Sequence, residues 1–420
     1  MENMKSSGVQ WIGDIPSEWK LGKVKNKFYS TKTIVGDKVD DYERLALTLG
    51  GVVKRSKEAN DGLQPEKFDG YQILKENELV FKLIDLANVA TSRVGLSPYT
   101  GIVSPAYIVL HDRQNGCPRY AEYYFLSMWL HEVFNHLGGD GVRSSLSAKD
   151  LLNVPFLLIS EAEQQAIADY LDDRCSKIDE IIAEATASIE EYKELKQAVI
   201  ANAVLSGIDK NTAIRNTGEN WCRTIPSHWR FERGKYLFSE TNIRSVDGSE
   251  ELLTVSQYTG ITPRSMKNVT MFEATSLVDY KICDIGDIAA NTMWMWAGAV
   301  GVSGYYGVIS PSYNTYRQIK GDYDSKYLDY LLRAVPLVSE YESRSTGIRA
   351  SRLRLYPSQF LSIRYPIPPM NEQKVIVEYL DRKVGDMDSL ISEKQSLIED
   401  LQAYKKSLIY EVVTGKRRVV

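Results

Sequence analysis

Histidine, cysteine and paired carboxylates carry most protein chemistry, and in this chain they are not arranged for it. His111, His131, His136 and His228 sit without a clustered acid or thiol, and His131 and His136 do not share a helical face, so all four read as surface or capping residues. Cys117, Cys175, Cys222 and Cys283 are scattered with no CxxC or Cys/His ligand spacing, which points to reduced, structural thiols and away from a zinc site or disulfide framework. No GxxxxGK[ST] phosphate loop and no HExxH zinc motif is present. "LGGDG" from Leu137 follows a predicted helix where a phosphate cradle follows a strand, so it reads as a turn. "NVPF" from Asn153 lacks the double proline of the Asn-Pro-Pro-aromatic loop that holds a flipped adenine, and it reads as a strand. Reactive residue types are present, but no constellation or cofactor motif that would set them to transform a ligand.

The elements that must position such residues come in two copies. "IPSEWK" from Ile15 recurs as "IPSHWR" from Ile225, and "RVGLSPYTGIVSPAY" from Arg93 aligns without a gap to "AVGVSGYYGVISPSY" from Ala299. "GVVKRS" (Gly51) matches "GITPRS" (Gly260), "GVRSS" (Gly141) matches "GIRAS" (Gly347), and "EQQAIADYLDDRCSKIDEII" (Glu163) matches "EQKVIVEYLDRKVGDMDSLI" (Glu372). Order is preserved throughout, as a tandem duplication of about half the chain requires. The front of each copy alternates short β-branched and aromatic runs with Gly, Pro and Asn turns, plus helical stretches such as "YAEYYFLSMWLHEVF", and so predicts a mixed α/β domain.

The back of each copy predicts a long helix. Leu171, Ile178, Ile182 and Ile189, with Cys175, Ala185, Tyr192 and Val199, step by three and four as a coiled-coil seam does. Leu380, Met387, Ile391 and Ile398, with Val384, Leu401 and Leu408, repeat it, interrupted by Lys394 and Lys405. Each helix should run for about 45 residues, or about 65–70 Å. Matched lengths predict that the two pack antiparallel, giving an α+β chain with two mixed α/β domains in pseudo-two-fold tandem repeat, separated by two long coiled-coil helices. The domain boundaries are 1–158 for the first domain, 159–207 for the central helix, 208–366 for the second domain, and 367–420 for the C-terminal helix and tail.

Composition sets outer limits. With 43% apolar and 25% charged residues and no long apolar run, the chain reads as a globular protein without a membrane span. Its first residues, "MENMKSSGVQW", resemble no signal peptide, so a cytoplasmic location is expected. The net charge of −4 argues against bulk attraction to a polyanion, but residues 159–210 hold 12 acidic against 5 basic residues while 1–158 balance at 19 each. The acid excess is thus confined to the first long helix.

"GVQWIGDIPSEWKLGKV", "GDIAANTMWMWAGAVGVSGYYGVISPSY" and "GIRASRLRLYPSQFLSIRYPIPPMNEQKVIVEYLD" together resemble the DNA specificity subunit of type I restriction-modification systems, over essentially the whole chain. One departure is "LISEAEQ" in the first copy, where the family has prolines before Glu-Gln, as in "IPIPPMNEQ" of the second. The resemblance implies two target-recognition domains, each reading one half of a split, asymmetric site in double-stranded DNA. It implies that the helices fix the spacer and dock two methyltransferase subunits, with restriction/translocase subunits completing a host-defence complex. It implies no catalytic centre and no cofactor on this chain; S-adenosylmethionine, ATP and Mg would be bound by the partner subunits. The alternative function is a coiled-coil interaction scaffold without intrinsic DNA specificity.

The two halves of such a site differ in sequence, so positions shared by both copies suit scaffold or phosphate contact, and divergent positions suit base reading. Arg55 and Arg264 match, as do Arg143 and Arg349; each either contacts phosphate or pairs with an acid of its own domain. Candidate base readers are Lys82, Asn88, Thr91 and Arg93 in the first copy, and Asn291, Arg352 and Arg354 in the second. Trp294 and Trp296, alternating in a predicted strand, are expected to pack in the core in preference to reading bases.

Overall fold

The computed structural model describes residues 3–58, 67–84, 86, 93–113, 116–137, 145–267, 276–348 and 353–419. The chain forms two compact units, Met1–Ala185 with Ser396–Val420, and Thr186–Gln395. The long helices Glu161–Ser206 and Met370–Val413 each contribute to both, since the first begins in the first unit and ends in the second, and the other runs the opposite way.

In the first unit a four-stranded antiparallel sheet has the order Phe28–Tyr29, Ile108–Asp112, Leu79–Phe81, Val94–Leu96. A hairpin, Leu45–Thr48 with Gly51–Lys54, and a strand pair, Gln72–Leu74 with Gly101–Val103, accompany it. Lys20–Lys23 pairs with Pro155–Leu158, so "NVPF" does enter a strand. The helix Pro118–Leu130 starts with proline in its first turn, where the missing N–H is not needed, and buries Tyr120, Tyr124, Phe125 and Met128.

The second unit repeats this plan. Its sheet order is Phe238–Thr241, Asn314–Gln318, Ile288–Ala290, Val300–Val302; the hairpin is Leu253–Ser256 with Gly260–Pro263; and Arg230–Arg233 pairs with Arg364–Ile367. The turn before the central strand needs a left-handed residue in both copies. Asn77 fills it at φ 63° and Gly286 at φ 86°, two residue types that tolerate that region.

The long helices pair antiparallel within each unit. In the first, Lys405 reaches Asp179 at 2.6 Å, while Arg418, beyond the end of the second helix, comes within 3.7 Å of Glu163 near the start of the first. In the second unit Lys196 meets Asp388 at 2.5 Å and Lys394 lies over the Tyr192 ring at 5.9 Å. The lysines at seam positions therefore turn aside to partners on the opposite helix, and the Asp–Lys pair occurs at offset-matched residues in both units. Of the seam residues, Leu171, Ile178, Ile189, Leu380 and Ile398 are buried, and Ile182, Met387 and Ile391 are partly buried. Helix pairing and packing on the domains are combined, not alternatives. Leu171, Cys175 and Ile178 join Leu408, Ile409 and Val412 in one core with Trp19, Tyr120 and Phe156, and Ile200 and Val204 join Ile376 and Leu380 in another with Trp229 and Tyr365.

The repeated tryptophan hexapeptide has a mechanical role. Trp19 donates its indole N–H to Glu163 Oε1 at 2.8 Å, and Trp229 donates to Glu372 Oε2 at 3.1 Å, each glutamate lying in the first turn of a long helix. The same rings cover the end of the other helix, where Gly415 (φ 75°) and Gly207 (φ 74°) turn the chain. A Cβ on Gly415 would lie 2.9 Å from Trp19 and 2.5 Å from Pro16; one on Gly207 would lie 3.4 Å from Trp229. Each hexapeptide thus fastens the start of one long helix beside the end of the other.

All four cysteines are free and buried, and burial pushes Cys222 and Cys283 up to about 12, which keeps both as thiols at neutral pH. Among the described residues no group of three potential metal ligands occurs, and no helix is long and apolar enough to cross a membrane.

Candidate DNA-recognition surfaces

The copies part company in the loop that follows the central sheet strand. Leu79 corresponds to Ile288, 209 residues on, but Val94 corresponds to Val300, 206 residues on, so the first copy carries the longer loop. Within it Lys82 is half-buried and donates its backbone N–H to the Arg93 carbonyl at 3.1 Å. Arg93 is only 1% exposed, and its Nη2 donates to the Leu86 carbonyl at 3.0 Å. Asn88 and Thr91 lie outside the described residues.

In the second copy Asn291 is buried and staples its own loop. Its Nδ2 donates to the Tyr313 hydroxyl at 2.9 Å and its Oδ1 accepts from the Met293 N–H at 3.2 Å. Arg93 and Asn291 therefore brace the loops from inside, which corrects the expectation that they face bases: a buried polar group takes whichever internal partner satisfies it. The tryptophans also differ from expectation. Met295–Ala297 is a 3₁₀ turn closed by Gly298 at φ 85°, not a strand; Met295 enters the core and the indoles stay outside, stacked at 5.6 Å and 24°. Trp294 is 51% exposed.

The matched arginines occupy matched places. Arg55 follows its hairpin and donates its N–H to the Arg44 carbonyl at 2.9 Å; Arg264 follows the equivalent hairpin and donates to the Leu252 carbonyl at 2.8 Å. Both are half-exposed. Arg55 lines a groove of about 570 Å³ whose wall mixes Arg44, Lys54 and Lys57 with Asp40, Asp41, Glu43 and Glu58. Arg354 is exposed and exchanges two backbone hydrogen bonds with Thr346, both 3.0 Å. Arg143, Arg349 and Arg352 lie outside the described residues.

Behind each sheet the same polar clamp recurs, and its members escaped notice in the sequence. Glu122 Oε1 accepts the Leu96 N–H at 2.9 Å, and Asp329 Oδ1 accepts the Val302 N–H at 2.9 Å, holding the edge strand to the helix behind it. The next residue ties that helix to a long one: Tyr123 donates to Asp172 at 2.7 Å and Tyr330 to Asp381 at 3.0 Å. Arg119 and Lys326 complete the arrangement on the same aspartates. The offset-matched acids were the available signal. Such clamps fix the orientation of each sheet on its helix pair.

One matched pair differs in chemistry. His111 and Glu78 are 2.7 Å apart, and in the second copy Arg317 and Asp287 make the equivalent contact through two bonds of 2.7 Å. The Glu78 hydrogen bond raises the His111 pKa against the opposing effect of burial; burial would raise that of Glu78, but the hydrogen bonds from His111 and the Lys75 N–H hold it below the usual carboxylate range. A raised histidine stabilises fully below its ordinary value near 6.5 and loses that contribution as pH rises through its folded value, whereas the lowered glutamate loses its share only as pH falls below about 4.5. The His111–Glu78 pair should therefore lose part of its contribution as pH rises above 6.5, whereas His131 of the same unit, lowered by burial, changes in the opposite direction. Urea unfolding at pH 6 and pH 8.5 is expected to show the wild type losing stability relative to His111→Arg, which copies the permanent pair and leaves His131 in place.

Two copies of one mixed domain, each clamped to an antiparallel helix pair and differing in length in the loop after the central strand, define the architecture. No protein-family model matches the chain. It is similar to a Methanocaldococcus jannaschii protein described as the MjaX specificity subunit of a type I restriction enzyme, 21% identical over 449 residues covering 100% of this chain and 97% of that one. Among solved structures it is similar to a chain of a type I restriction-modification system studied for its assembly and conformational transition, with TM-score 0.70 and 13% identity over 96% of this chain and 99% of that one. The HsdS subunit from Thermoanaerobacter tengcongensis gives TM-score 0.53 and 14% identity over 96% and 98% of the two chains. The chain has the fold of type I specificity subunits, the family its motifs resemble.

Proposed function

We propose that this chain is the non-catalytic DNA-specificity subunit of a type I restriction-modification complex. Each domain reads one half of a bipartite, asymmetric site, and the helix pair sets the spacer and docks two methyltransferase subunits. Adenine methylation and ATP-driven restriction then belong to partner subunits holding S-adenosylmethionine, ATP and Mg. The observation that carries this reading is the duplication itself: strand order and clamps are repeated while the loop after the central strand diverges, as two readers of different sequences on one scaffold require. Near-neutral charge suits a subunit whose partners share the phosphate contacts. The test is co-expression with the modification subunits of the same genome, followed by mapping of methylated adenines. Replacing residues 1–155 by the equivalent segment of another such subunit should change one half of the methylated motif and leave the other half intact. A motif altered in both halves would overturn the proposal of two independent readers.

A further inference from the structure

The geometry points to Trp294 as a specificity-determining residue of the second half-site, one that reads a thymine through its C5-methyl group; the inference rests on the DNA-binding function proposed above. Trp294 stands in the loop where the copies diverge, and nothing aromatic occupies the counterpart stretch "KLIDLANVATSR". Its loop is built, not slack. Asn291 fixes the entry through Tyr313 and Met293, Thr292 donates to the Ser312 carbonyl at 2.7 Å, Met295 is buried, and Trp296 Nε1 donates to the Met293 carbonyl at 2.9 Å. Trp296 is thereby held as a platform, and Trp294 stacks on it. One indole face is covered and the rest of the ring is left in water, with half its surface exposed.

Keeping a large ring exposed on a braced loop forgoes the burial that an indole ordinarily gains in a folded protein. Binding can supply it instead, at little further entropic cost because the ring is already ordered. A ring face carries no hydrogen-bond code, so among base edges in the major groove it can distinguish only the apolar one, the thymine methyl. A wedge between base steps or a contact to deoxyribose would use the same ring without discriminating bases, and the test separates these.

The assembled complex, with its own modification subunits, is used to define the methylated motif, and binding is then measured on duplexes in which each thymine of the second half-site, on either strand, is replaced in turn by uracil. One position is expected to lose about fivefold in affinity, the value of one methyl group removed from an apolar contact. Trp294→Ala should bind the thymine duplex as weakly as the wild type binds the uracil duplex, and should be indifferent to the replacement. Sensitivity to uracil retained in full by Trp294→Ala, no sensitive thymine in the wild type, or a half-site without thymine would each overturn the inference while leaving the specificity function standing. A uniform loss across all sequences in Trp294→Ala would overturn it in favour of wedge or sugar contact. Absence of sequence-specific DNA binding by the wild-type complex would sink the underlying function as well.

Discussion

Leu380→Asp is expected to destabilise the second unit by about 4 kcal/mol or more, enough to abolish its cooperative unfolding transition at physiological temperature. Leu380 is fully buried, in a core with Ile200, Val204, Trp229, Tyr327 and Ile376. A carboxylate placed there either stays ionised without a partner or takes a proton, and both are unfavourable in an apolar interior. Leu171→Asp should act equally on the first unit, where Leu171 is also fully buried. Ile182→Asp and Ile391→Asp, at seam positions that are only partly buried, should cost about half as much, because the new carboxylate reaches water. Circular dichroism during thermal unfolding of the four variants gives the order directly. Equal losses at all four positions would show that the seam is uniformly dry, contrary to the burial described.

Lengthening both long helices by four residues, after Ala185 in one and after Gln395 in the other, is expected to abolish methylation of the original site and move it to one with a spacer longer by one base pair. The insertion points matter. Between Val199 and Leu205 an insertion would displace Ile200, Ala203 and Val204 from the core and break the 2.7 Å bond from the Tyr327 hydroxyl to the Val204 carbonyl. At the unit boundaries the Asp179–Lys405 and Lys196–Asp388 pairs keep their register. Four residues add about 6 Å of rise but a net turn of only about 40°, and they enter a heptad seam as a stutter that unwinds locally. One base pair turns B-DNA by about 34°, so a reader that must keep facing its groove follows the rotation in preference to the rise. Methylation mapping decides the matter, since an active complex with an unchanged spacer would show that these helices do not set the distance.

Much of the architecture was legible because it rests on patterns that a sequence carries openly. Two matched heptad seams, bounded by Glu-Gln stretches and small residues with Gly, located helices at Glu161–Ser206 and Met370–Val413, and the paired motifs fell on paired strands. What the pattern could not supply was which way a residue faces when its partner is distant in sequence. Arg93 and Asn291 looked like readers by type, yet the Leu86 carbonyl and the Tyr313 hydroxyl claim them. The alternation Trp294, Met295, Trp296 read as a strand with its indoles in the core, but Gly298 closes a 3₁₀ turn that sends Met295 inward instead. The clamp of Glu122 and Asp329 was hidden because a carboxylate accepting one backbone N–H has no sequence period, only an offset-matched twin.

The division of the long helices between the units also bears on how the chain is made. The second unit is one uninterrupted stretch, Thr186–Gln395, whereas the first takes the last part of its core, Leu408 to Val413, from the far end of the chain. A ribosome adding about 5–20 residues per second needs roughly ten to fifty seconds to travel from the end of the first segment to those residues. For that interval Leu171, Cys175 and Ile178 have no helix to pack against, and the unit synthesised later has its last residue, Gln395, in place before Leu408 is added. The order of completion is therefore the reverse of the order of synthesis, and the half-made first unit is the species most exposed to aggregation and most dependent on chaperones.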